Sequence, residues 1–211
     1  MTTPAPPAPQ RRHAQANRAR ILEVARRELS RNPESPLDEI ARASGVVRRT
    51  LYGHFPGRTA LLEALADEAS AALRGAVAAA TRPADPPEYA LARFKLEIWK
   101  VGDRYRMLLA LARRDLGHDR VRELADPATE HTTRLLERGQ AAGVFATHLP
   151  APVLGDALAA VTFSLLESVN LRKWDDDGSR AAIAGLVMAG VSPARAAEVL
   201  RGVLATSGGA R

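Results

Sequence analysis

Cysteine is missing from this 211-residue chain, lysine is nearly so, aromatic side chains are sparse, and no apolar run is long. Without cysteine there is no disulfide framework and no thiolate metal site, and the composition fits a reducing cytoplasm. Aromatics make up 4% of the residues, too few to indicate a cage for flat cations. No uninterrupted apolar stretch reaches the roughly 18 residues that suggest a membrane span, so no membrane partner is expected. No segment alternates with period two for long enough to read as a strand. Lysine supplies 3 of the 30 basic residues and arginine the other 27. An arginine here is therefore not read as functional merely for being one.

Catalytic signatures are missing as well. The five histidines, at 13, 54, 118, 131 and 148, show neither HxxxH nor HxH spacing. There is no Gly-rich phosphate loop, nucleophile elbow or Cys/His ligand set. Asp175, Asp176 and Asp177 are consecutive and lack calcium-loop spacing, so they read as a solvated loop. No enzyme activity, cofactor or metal is expected.

What the chain does have is an uneven charge. Residues 1–60 hold 11 Lys+Arg against 5 Asp+Glu. The rest of the chain balances at 19 of each, so the whole excess of +6 lies in the first sixty positions. A basic segment on a neutral body suits a polyanion bound at one end. Met1 to Gln10 is rich in Pro and Ala, is expected to be disordered, and has no apolar run of a secretory signal. Arg11, Arg12 and His13 complete an arm over 1–13, read either as a DNA-contacting extension or as a solvated tail.

The most informative stretch runs from Ser35 to Phe55. Ser35 is read as the cap of a helix, with Pro36 at its first position and Asp38 in its first turn, where the helix dipole favours negative charge. Leu37, Ile40 and Ala41 form one buried stripe. Gly45 can take the left-handed conformation that ends a helix abruptly. A second helix follows, with Leu51 and Phe55 inward. Arg48, Arg49, Thr50, Tyr52 and His54 are left to point elsewhere. Such a face fits the DNA major groove, where arginine pairs with guanine and hydroxyls reach phosphates. The same spacing also describes a plain helical hairpin with a solvated charged face.

The run from Leu37 to Leu65 resembles the DNA-binding segment of TetR-type transcriptional regulators. It carries Ile40-Ala41, Gly45-Val46, Thr50-Leu51-Tyr52-Gly53-His54-Phe55, Arg58 and Leu61-Leu62. It departs at Val47, where the family usually opens its recognition helix with Ser or Thr, and at Arg49, where small or polar residues often follow. The resemblance implies an all-α fold of about nine or ten helices. A helix-turn-helix domain over 14–60, with its motif about 36–55, is joined by a long helix to a larger domain over 61–211. The DNA-binding candidates are Ser35, Arg48, Arg49, Thr50, Tyr52, His54 and Arg58. Arg58 is expected to seat a phosphate at the start of the linking helix, and Arg18 is a candidate backbone contact.

Periodicity places helices over 17–31, 58–80, 88–101, 103–116, 128–142, 153–174, 179–190 and 193–205. The last long helices are apolar on more than one face, which suits burial against a partner. The resemblance implies a two-fold homodimer through them, with Leu158, Leu165, Leu186 and Val187 as seam candidates. Two recognition helices would then lie about 34–36 Å apart on an inverted-repeat operator in double-stranded DNA. It also implies a small-molecule effector bound among the middle helices. Candidate lining residues are Phe94, Trp99, Tyr105, Met107, Phe163, Glu167 and Asn170, each of which ordinary core packing or seam exposure would also explain. The family member so described is most often a repressor. The competing reading is a helical interaction protein whose basic head holds nucleic acid or an acidic partner without sequence choice.

Overall fold

The computed structural model describes residues 8–208. Among them are nine helices and no strand, in line with the expected all-α class. They are α1 (Ala8–Arg31), α2 (Leu37–Ala43), α3 (Arg48–His54), α4 (Arg58–Ala80), α5 (Pro87–Asp115), α6 (His118–Ala141), α7 (Ala151–Asn170), α8 (Ser179–Met188) and α9 (Pro193–Gly208). The chain forms two compact units. A head unit takes residues up to 68 together with 107–121, and a trunk unit takes 69–106 and everything from 122 on. The segment 107–121 is thus part of the head unit, although the sequence reading places it in the larger domain.

Four boundaries differ from expectation, each for a local reason. Residues 1–7 of the expected arm lie outside the described residues, whereas 8–13 are the first turns of α1. Pro9 is tolerated in a first turn, and the Arg, Gln and Ala that follow are good helix formers. α5 does not break at Gly102. A Cβ there would lie 2.7 Å from Leu166 Cδ1, so this glycine lets α5 and α7 approach. α6 begins at His118 and runs through Pro127, at the loss of one ladder hydrogen bond. α7 stops at Asn170, short of Trp174, because Arg172 takes a left-handed φ of 53°. Lys173 N then donates to Ser168 O at 3.0 Å and closes the helix end.

The head unit is organised around one apolar core. Ile21, Leu22, Ala25 and Leu29 of α1, Ile40 and Ala41 of α2, Leu51 of α3, Phe55, and Leu61 and Leu65 of α4 are all buried. The loop between α1 and α2 is held by Arg58. Its guanidinium donates to Ser35 O at 3.2 Å, to Pro33 O, and to Asp115 Oδ2 at 3.4 Å. Asp115 is also bound by Arg114, which reaches Glu34 at 2.7 Å. Hydrogen bonding from Arg114, and then from Arg58, holds the Asp115 carboxyl below its ordinary pKa.

The trunk unit buries Leu91, Phe94, Leu136, Leu154, Leu158, Leu186, Val199 and Val203 in a second core. Lys95 of α5 is buried there as well. Its Nζ has only long contacts, to Leu158 O at 3.5 Å and Thr162 Oγ1 at 3.4 Å, and its stem lies along Gly185. Burial pulls its ammonium down to about 8.

Removing the Arg58 guanidinium leaves two loop carbonyls without their charged donor. Arg58→Ala should therefore lower head stability by about 1–3 kcal/mol in a urea titration. Lys95 gives a pH signature. Between about 8 and the ordinary value of 10.5, the unfolded chain holds a proton that the folded chain has released. Stability should therefore rise with pH across that window. Lys95→Met should be more stable than the parent near neutral pH, and its urea midpoint should lose that rise.

Candidate nucleic-acid interface

Two seven-residue helices and one turn build the site. α2 ends in a hydrogen-bonded reversal at Gly45, whose φ of 66° suits glycine. Gly45 N donates to Arg42 O at 3.1 Å and Val46 N to Ala41 O at 3.1 Å, satisfying carbonyls at the helix end. The buried Ser44 adds Oγ–H to Ala41 O at 3.0 Å. The chain then enters α3 at Val47, which makes no side-chain cap, as expected for a residue without a hydroxyl. Thr50 N and Leu51 N close the first turn on Val47 O at 2.9 and 3.2 Å.

Leu51 anchors α3 inward, so its other faces are set by the helical period. Arg49 is exposed, Tyr52 is 43% exposed, and Thr50 and His54 are half-buried, the His54 ring 6.2 Å from that of Phe55. Val47 is 70% exposed, an apolar side chain at the mouth of the turn. The Arg48 side chain is 71% exposed and is engaged by the Asp38 carboxylate across the turn.

Two expected contacts are reassigned. Ser35 neither caps α2 nor reaches the surface. Pro36 is the capping residue, with its carbonyl accepting from Glu39 N and Ile40 N, while Ser35 is 2% exposed with its backbone N on Asn32 O at 3.0 Å. Arg58 spends its donors on its own chain, because its place at the start of α4 faces the open carbonyls of the 33–35 loop. Arg18 lies with its guanidinium 5.4 Å from the Phe55 ring centre. The Asp38 partnership went unseen in the sequence, where Asp38 reads only as a helix-dipole residue.

The seven candidate effector residues differ in burial and in the unit they belong to. Phe94, Trp99 and Tyr105 are buried core. Phe94 packs on the His131 ring at 4.7 Å, and burial lowers the His131 pKa. Trp99 donates Nε1–H to Asp176 O at 3.1 Å and meets Trp174 edge-on at 6.1 Å. Met107 falls in the head unit, whereas Phe163, Glu167 and Asn170 belong to the trunk unit. Glu167 is exposed rather than a buried charge, with Oε2 3.5 Å from Asn170 Nδ2.

Asp175 to Asp177 lie in the loop between α7 and α8, with Asp175 and Asp177 exposed, and Asp176 and Asp177 also cap α8. Asp176 accepts from Ala181 N at 2.9 Å, and Asp177 from Ser179 N at 3.0 Å. Among the described residues no group of three acids or histidines is placed to hold a metal.

Two of the four seam candidates are corrected. Leu158 and Leu186 are buried in the trunk's own core, because they lie on the inward faces of α7 and α8. Leu165 is half-buried and Val187 exposed. α7 is long and apolar enough, by length and composition, to cross a membrane, although it contains Asp156 and Glu167. The sequence reading, which asked for an uninterrupted apolar run, did not expect this. Only 22% of that apolar window is buried.

The family model of bacterial regulatory proteins, tetR family, matches residues 21–65. No curated protein matches the chain. Among solved structures, a tetR-family regulatory protein from Rhodococcus RHA1 is similar at 21% identity and a TM-score of 0.68, over 83% of this chain and 98% of that one. The TetR family regulator PfmR from Thermus thermophilus is similar at 20% identity and 0.68, over 82% and 98%. The TetR-like regulator LfrR from Mycobacterium smegmatis, solved with proflavine, is similar at 22% identity and 0.64, over 82% and 93%. The helices described above therefore carry the fold of those regulators, and the segment from α1 to α4 is the part that matches the tetR family model.

Proposed function

We propose that this chain is a cytoplasmic transcriptional repressor that binds an inverted-repeat operator as a homodimer and is modulated by a small molecule. The observation that carries the reading is the outer face of α3. Arg49 and Tyr52 stand exposed beside Arg48 and Val47, on a helix anchored from the opposite side by Leu51. Arginine supplies paired donors for guanine, Tyr52 a hydroxyl for phosphate, and Val47 an apolar surface for a thymine methyl. The concentration of net charge in the first sixty residues adds attraction without sequence choice.

Pairing is supported by apolar surface that the trunk does not cover. Val153 and Leu171 at the ends of α7, Val187 of α8 and Leu204 of α9 are all exposed. A second copy of the same faces would bury them through a two-fold interface. The effector reading rests on likeness of fold to LfrR, which was solved with proflavine. The chain acts here by binding, with no catalytic step.

Selection of fragments from the organism's own genome tests the reading. The expected product is an inverted repeat with half-site centres about 34–36 Å apart, bound at least ~10³-fold above bulk DNA. Uniform affinity for all duplexes would instead make the basic head a non-specific binder. Arg49→Ala should cost about 1–3 kcal/mol on the selected sequence and little on unrelated DNA, by fluorescence anisotropy.

A further inference from the structure

The α2–α3 turn brings together a carboxylate and an arginine that are ten positions apart in the chain. Arg48 Nε meets Asp38 Oδ1, and Arg48 Nη2 meets Asp38 Oδ2. This is a side-on, two-point pairing, which fixes the guanidinium plane as well as its place. It occupies the Nε edge and leaves the outer Nη1/Nη2 edge open. Paired donors of that kind match the O6 and N7 acceptors of guanine. The pair lines an open notch with Ala41, Arg42 and Val46, on the exposed side of the turn. The Asp38 side chain is about one-third exposed, so its charge is felt outside the protein.

Two physical effects follow from that position. A long exposed arginine loses rotamer freedom when it binds, and a side chain already clamped loses less. An unclamped arginine can also settle on any nearby phosphate, which adds affinity without choice. A carboxylate beside it repels phosphate and restrains that alternative.

We propose that Asp38 is a specificity-determining positioning residue: it holds Arg48 side-on so that its outer edge reads one guanine per half-site. Its charge at the same time weakens binding to unrelated DNA. The inference rests on the DNA-binding reading above and adds a role for a residue that does not itself need to touch a base.

The test uses the full chain as wild type, Asp38→Asn, Arg48→Ala and the double variant. Each is selected against a library of random duplexes, and each is titrated with salt on one mixed-sequence duplex. Wild type should select a guanine whose preference disappears in Arg48→Ala. Asp38→Asn should weaken that one preference by about tenfold. On the mixed duplex it should bind more tightly, with a salt slope steeper by about 0.9, as one more arginine becomes free for phosphate. In the Arg48→Ala background Asp38→Asn should leave every base preference unchanged. Wild-type preference and slope in Asp38→Asn, with only a lowered melting temperature, would overturn the proposal and leave Asp38 a helix-dipole residue. A change in base preference that persists without Arg48 would overturn it too. If wild type selects no sequence at all, the DNA-binding reading falls first, and that result needs no Asp38 variant.

Discussion

Seven residues are too few for a helix to persist in water, and α3 has neither a side-chain cap nor an acid in its first turn. Gly53 inside it costs roughly another 1 kcal/mol relative to alanine. What keeps α3 helical is burial. Leu51 and the following Phe55 sit in the core made by Ile21, Leu29, Ile40 and Leu61. The same burial decides which way Arg49 and Tyr52 face, since a helix pinned on one side has no choice about the other. Stability of the head and presentation of its outer side chains are therefore one property of the sequence.

The arginines divide by task, and composition alone does not reveal the division. Arg58 binds loop carbonyls, Arg114 joins Glu34 to Asp115, and Arg120 reaches Glu63 and Asp67. These hold the head unit together. Arg48 is restrained by an acid, and Arg49 faces outward. The count of 11 basic residues in the first sixty thus overstates the cations open to a polyanion, because Arg48 and Arg58 among them already have partners.

Local chemistry was readable from the chain. The α2–Gly45–α3 unit, its inward residues and the uncapped start at Val47 all follow from neighbours within a few positions, where propensity and turn geometry act. Long-range pairing was not. Arg58 meets Asp115 across 57 positions, and Gly102 reads as a breaker until Leu166 is seen against it from another helix. The same limit applies to Phe94, Trp99 and Leu158, whose apolar character is equally consistent with a cavity, a seam or a core. Ser35 and Arg58 carried the right motif pattern, and only the 33–35 loop, to which Ser35 belongs and Arg58 donates, shows that they serve its backbone.

The chain's three lysines all lie outside the head unit, and their exposure differs. Lys95 is enclosed in the trunk core, while Lys100 and Lys173 are open to solvent. Among side chains, reagents that acylate amines, including coupling dyes and sensor surfaces, would accordingly react at Lys100 and Lys173, since α1, α2 and α3 offer them no side-chain amine. A fluorophore or tether installed that way reports on the protein without editing the outer face of α3.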